Sequence, residues 1–122
     1  MLTSGFYKII ESTTDRNQVE SVIELNAQHA IFKGHFPNNP VTPGVCMLQI
    51  FKNFAENHLQ KKLQISECSN IKFMAIINPE THPVLKLSMT FQQTDDSTVK
   101  MKATAVYEAT TALKSSLVLT IQ

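Results

Sequence analysis

The chain has 122 residues, 43% of them apolar and 17% charged, with a formal net charge of +1. That size and apolar content fit one domain spanning 1–122, and so even a charge balance argues against nucleic acid as the main partner, because neutralising phosphates takes a marked basic excess. Two cysteines, Cys46 and Cys68, make no disulfide framework; the absence of a signal-like N-terminus and of any apolar run near the roughly 18 residues of a membrane span leads us to expect a cytoplasmic protein.

Taken in chain order, Phe6 to Ser12 reads as a short strand and Asp15-Arg16-Asn17 as a turn. Val19 to Leu25 is a second strand, with Val19, Ser21, Ile23 and Leu25 on one side. Ile31 to Gly44 is irregular by composition: Gly34, Pro37, Pro40, Pro43 and Gly44 crowd into it. The strongest helix signal follows. Leu48, Phe51, Ala55 and Leu59 recur at helical spacing, Met47, Ile50 and Phe54 widen the stripe, and Lys52, Asn53, Glu56, Asn57 and Gln60 take the other side. Thr42 is the expected N-cap, with Pro43 at the first helical position and Lys61-Lys62 near the C-terminal dipole.

Beyond the helix the period changes to two. Ile71 to Ile77 is a strand bounded by Asn78-Pro79. Leu85, Leu87, Met89 and Phe91 alternate with polar residues, Asp95-Asp96-Ser97 turns the chain, and Val99 to Tyr107 alternates again. Glu108 to Thr111 is the next turn and Leu113 to Ile121 the last strand. About six strands with short turns between the later ones imply an antiparallel sheet. One helix with a wide apolar stripe packed on that sheet is a two-layer α+β domain, and the width of the stripe predicts a sheet curled around the helix.

The chemistry concentrates in the window from Phe32 to Gln49, FKGHFPNNPVTPGVCMLQ. Pro37 and Pro40 stiffen the loop that holds His35. Gly44 falls in the first helical turn, where N–H groups lack partners inside the helix. With no side chain, its N–H can approach a ligand oxygen closely, and the helix dipole favours negative charge there. A thioester carbonyl on that N–H would be polarised and its α-carbon proton made more acidic. His35 has a suitable pKa range to take or return that proton. From the residues alone, His35 is either this base or a solvent-exposed loop histidine. Cys46 either lines the pocket or is a small core residue. His29, His58 and His82 show no metal-ligand spacing with the cysteines, and no metal site is expected.

The stretch GHFPNNPVTPGV resembles the signature of the hot-dog-fold β-hydroxyacyl-acyl carrier protein dehydratases, which runs Gly-His-Phe-Pro, two variable residues, Pro-Val, one variable residue, Pro-Gly. Gly34, His35, Phe36, Pro37, Pro40, Val41, Pro43 and Gly44 all match, and Ile71-Lys72-Phe73 is similar to the family's strand after the helix. The resemblance implies a hot-dog fold, a curved antiparallel sheet wrapped around one central helix. It implies a substrate carried on the phosphopantetheine of an acyl carrier protein, with no further cofactor. It makes His35 the catalytic histidine and places the thioester carbonyl on the Gly44 N–H, with Phe36, Val45 and Cys46 beside the substrate. It also implies a dimer in which one chain gives the histidine and the other a carboxylate from the helix.

That carboxylate is missing. Fourteen residues after His35, where the family has Glu or Asp, stands Gln49. A glutamine amide can orient a water or a hydroxyl but cannot donate a proton as an acid does. Three readings follow. The chain is a 3-hydroxyacyl-acyl carrier protein dehydratase in fatty acid, polyketide or polyene synthesis with Gln49 positioning the leaving hydroxyl, a catalytically weak acyl-thioester binder or heterodimer partner, or a hot-dog acyl thioesterase.

Overall fold

The computed structural model describes residues 5–34 and 41–122, with the side chains of 33 and 34 left aside. Six strands and two helices follow one another: β1 Tyr7–Asp15, β2 Gln18–Leu25, α1 Ala30–Gly34, α2 Gly44–Leu59, β3 Leu63–Phe73, β4 Val84–Gln93, β5 Thr98–Tyr107 and β6 Thr110–Ile121. The strands form one sheet in the order β1-β2-β4-β5-β6-β3, with every neighbouring pair antiparallel. Helix α2 interrupts the strand sequence between β2 and β3, so the sheet closes around it as the resemblance implies.

The two-residue period becomes a buried face and a wet face. Val19, Ser21, Ile23 and Leu25 of β2 point inward, as do Leu85, Leu87, Met89 and Phe91 of β4 and Val99, Met101, Ala103 and Ala105 of β5. Leu113, Leu117 and Leu119 of β6 join them, with Ser115 buried among them and its hydroxyl donating to the Ala103 carbonyl at 3.3 Å. Against this face α2 buries Cys46, Met47, Ile50, Phe51, Phe54 and Ala55. Phe51 has no exposed surface, and burying one such side chain is worth about 1.5–3 kcal/mol.

Several boundaries differ from the expectation. The strand after the helix starts at Leu63, eight residues before Ile71, and ends at Phe73, after which the Met74 and Ala75 N–H groups both donate to the Ala112 carbonyl of β6. As an edge strand with two register shifts, β3 has mostly exposed residues and hides its period. The window expected to be irregular contains the short helix α1, over which Phe32 stacks on Phe6 at 5.2 Å. The N-cap of α2 is Pro43, not Thr42. The helix ends at Leu59, and Gln60 closes it in a left-handed conformation with its N–H on the Glu56 carbonyl.

Candidate active site

Among the described residues, no side chain caps the start of α2. Pro43 sits at φ −63°, ψ 142° and has no polar group with which to hold the first-turn N–H groups. Thr42 does different work: its N–H donates to the Ile77 carbonyl at 2.8 Å, while its hydroxyl is buried without a partner. The helix start is thereby tied to the segment that follows β3. That segment is itself anchored, because the Met74 N–H donates to the Ala112 carbonyl at 2.8 Å and the Tyr107 hydroxyl to the Ile76 carbonyl at 3.0 Å.

Between these two stretches lies a groove of about 580 Å³, with Val41–Val45 on one wall and Phe73–Ile77 on the other. Among the described residues, Thr42 brings the only polar side chain to either wall. The Phe73 ring lies across Gly44: a Cβ there would stand 2.7 Å from Phe73 Cζ. Phe73 Cζ is the far end of a half-exposed ring, so a side chain at 44 would push that ring aside and change the groove mouth. Val45, Phe73, Met74 and Ile76 are 67%, 54%, 49% and 61% exposed, so an apolar rim surrounds the groove. An apolar slot that meets uncapped helical N–H groups suits a ligand with an apolar body and an oxygen at one end.

Gly44 and Val45 are thus brought to the groove. Cys46, next along, turns into the core at 2% exposure, and burial pushes its thiol pKa up, which keeps it protonated and a poor nucleophile. Of its two roles, the geometry fits the small core residue. His35 and Phe36 lie outside the described residues.

Gln49 is half-buried on a different side of the helix. Five residues separate it from Gly44, which is about 7.5 Å along the axis and about 140° around it. Its Nε2 donates to Asn53 Oδ1 at 3.0 Å, and Asn53 Nδ2 donates to the Tyr7 hydroxyl at 3.4 Å. The relay runs from helix to β1 and leaves Gln49 Oε1 as an acceptor. One chain therefore does not bring Gln49 to its own Gly44 groove. Nor does Glu56 replace the missing acid: its Oε2 accepts the Leu63 N–H at 2.9 Å and joins the helix end to β3.

Sequence reasoning did not find the groove wall at Phe73–Ile77, nor Asn53 and Tyr7 as partners of Gln49. A signal for the first was present in Phe73, Met74 and Ile76, apolar on both faces of a segment taken for an ordinary strand. The second needs β1 to cross the helix, and no local spacing reports that.

Residues 11–113 match the ApeI-like family model, described as ApeI dehydratase. The chain is 27% identical over 118 residues to the 3-hydroxyacyl-[acyl-carrier-protein] dehydratase FabZ of Lactobacillus helveticus, covering 88% of this chain and 78% of that protein. Among solved structures it resembles the dehydratase heterocomplex ApeI:P from Xenorhabdus doucetiae, with a TM-score of 0.75 and 19% identity over 93% of this chain and 96% of that one. A hypothetical thioesterase with coenzyme A from Streptococcus pneumoniae shares the fold at TM-score 0.69 and 10% identity, over 98% of this chain and 89% of that one. These likenesses bear out the hot-dog fold and the FabZ-like dehydratase resemblance.

Proposed function

The chain belongs to the ApeI-like dehydratase family, and we propose that it takes part in removing water from 3-hydroxyacyl thioesters delivered on the phosphopantetheine of an acyl carrier protein, with no other cofactor. The observation that carries this reading is the apolar groove meeting the uncapped start of α2 at Gly44. The acyl body fits the groove, and the thioester oxygen takes the Gly44 N–H. That hydrogen bond stabilises the negative charge that gathers on the oxygen when the α-proton leaves. His35 takes the α-proton, the C3–O bond breaks as the double bond forms, and the hydroxyl departs as water with a proton returned by the imidazolium or by a second acid. Gln49, through Oε1, can accept a hydrogen bond from the departing hydroxyl and so orient it, but it supplies no proton.

The separation of Gln49 from Gly44 favours sites shared between two chains, His35 and Gly44 from one and the residue at the Gln49 position from the other. A second reading follows from the same geometry. In a heterodimer whose other chain carries a carboxylate at that position, one site combines the His35 and Gly44 of this chain with a true acid. The ApeI:P structure, a heterocomplex by name, supports weighing this arrangement beside a homodimer.

Incubating the purified chain with 3-hydroxyacyl and enoyl thioesters of an acyl carrier protein separates the possibilities. Loss or addition of water is the expected result. Release of free acid would make the protein a thioesterase, and binding without turnover would make it a partner subunit. A stable monomer by sedimentation at micromolar concentration would remove the shared-site geometry.

A further inference from the structure

Gln49, Asn53 and Tyr7 form a chain of three polar side chains that starts on α2 and ends on β1. Gln49 and Asn53 stand one helical turn apart on the same face, and Gln49 Nε2 donates to Asn53 Oδ1 at 3.0 Å. Asn53 Nδ2 donates in turn to the Tyr7 hydroxyl at 3.4 Å. The Tyr7 end is fixed: its backbone is paired opposite Leu25 in the β1–β2 ladder, and its ring lies 6.5 Å from that of the buried Phe54. Gln49 is the opposite case, a long, rotatable, half-buried side chain. The two ends of its amide differ in what they offer a ligand, one accepting a hydrogen bond and the other donating it. Nothing in glutamine itself decides which end faces outward. The bond to Asn53 decides it: with Nε2 committed to Asn53, Oε1 is the end left for a hydroxyl.

We propose that Asn53 and Tyr7 are positioning residues that hold the Gln49 amide with Oε1 toward the 3-hydroxyl of a thioester bound by the other chain. This rests on the dehydratase reading above. A carboxylate at position 49 would need no such help, because its two oxygens are alike and either can face the ligand. An amide has a right and a wrong way round, and the wrong way turns N–H groups toward the hydrogen of the substrate hydroxyl. Fixing the side chain before the substrate arrives also removes the cost of ordering it on binding. A tie between α2 and β1 would need only the bond from Asn53 to Tyr7. The extension to Gln49 joins no further element, since Gln49 and Asn53 already belong to one helix. What it does is orient the amide.

Three variants of the full chain test this. Asn53→Leu removes both bonds. Tyr7→Phe keeps the ring beside Phe54 and removes the hydroxyl. Asn53→Asp has only acceptor oxygens, so Gln49 Nε2 and the Tyr7 hydroxyl can each donate to it, and the observed orientation of Gln49 is the one it permits. Dehydration of a 3-hydroxyacyl carrier-protein thioester is measured first. Asn53→Leu is expected to lose about ten- to hundredfold in kcat, Tyr7→Phe a smaller part of that, and Asn53→Asp to recover most of the Asn53→Leu loss. Binding is then measured by calorimetry, with His35→Ala added to every protein to stop turnover, for 3-hydroxyacyl and saturated acyl thioesters of N-acetylcysteamine. The parent should favour the 3-hydroxyacyl ligand, Asn53→Leu should lose that preference, and Asn53→Asp should keep it. Urea unfolding reports whether Asn53→Leu is folded; if it is not, Tyr7→Phe against Asn53→Asp carries the comparison. Lost preference in variants of a parent that dehydrates neither substrate would uphold the positioning role and sink the dehydratase reading. Equal kcat in all four proteins, an Asn53→Asp protein as impaired as Asn53→Leu, or no preference for the 3-hydroxyacyl ligand in the parent would overturn the proposal.

Discussion

Replacing Gln49 with glutamate puts a carboxyl group where the family's acid stands, and the structure allows its effects to be worked out separately for fold and chemistry. Gln49 now donates to Asn53 Oδ1, which a carboxylate cannot do. Asn53 can instead turn its amide toward the new carboxylate, and the Tyr7 hydroxyl, at 3.4 Å, can then donate where it now accepts. Both of these hydrogen bonds can be remade in the reversed sense, and exchanging them should cost about 1 kcal/mol. Chemistry should change more. A positioned general acid is worth roughly 10²–10⁴-fold, and part of that is already supplied by whatever Gln49 orients. A gain of about one to three decades in dehydration is expected, or about 1.4–4 kcal/mol off the barrier. The assay follows enoyl formation from 3-hydroxyacyl carrier protein by the parent, the Gln49→Glu variant, and the parent mixed with a second dehydratase-like chain. Full activity in the parent, unchanged by either manipulation, would refute the reasoning and make Gln49 a competent residue in its own right.

His35→Ala should abolish thioester turnover while shifting stability by no more than about 0.5 kcal/mol; near-parental turnover would remove His35 as the base. Glu56→Ala leaves the Leu63 N–H without its acceptor and should cost about 1–3 kcal/mol in urea unfolding, whereas Glu56→Gln, which keeps an acceptor oxygen, should recover most of it. The Cys46 thiol is raised by burial above its ordinary 9.0, so its protonated form is the one the fold prefers. The stability this contributes is fully present below the unfolded thiol's pKa and lost as pH rises through the folded value. The penalty of Cys46→Ala should therefore shrink between neutral pH and about pH 10; a constant penalty would mean that the buried thiol does not titrate.

Alternation made β4, β5 and β6 legible almost residue by residue, because each buries one face and wets the other. The apolar stripe did the same for α2. The first half of β3 was not legible: on an edge, with register shifts at Ile65/Glu67 and Ser69/Lys72, its side chains answer to no single face. The cap was misplaced because Thr42 looks like a cap in sequence, while its N–H is taken by Ile77 across the groove. At the site, Gly44 could be read from its motif. Its neighbour Phe73 could not, since the two meet only when the end of β3 folds back over the helix start.

Among the described residues, the six-stranded sheet has two margins, β1 and β3. Each is a row of unmatched backbone groups that can recruit further strands without limit. Both margins are broken, β1 between Ile9 and Glu11 and β3 at two points, with Asn70 at φ 52° beside the second. Each kink shortens the straight run that a stranger could zip onto and turns the remainder aside. Apolar side chains such as Ile9 and Ile10 are exposed on one margin, and the kink beside them limits the straight run open to strand-on-strand growth.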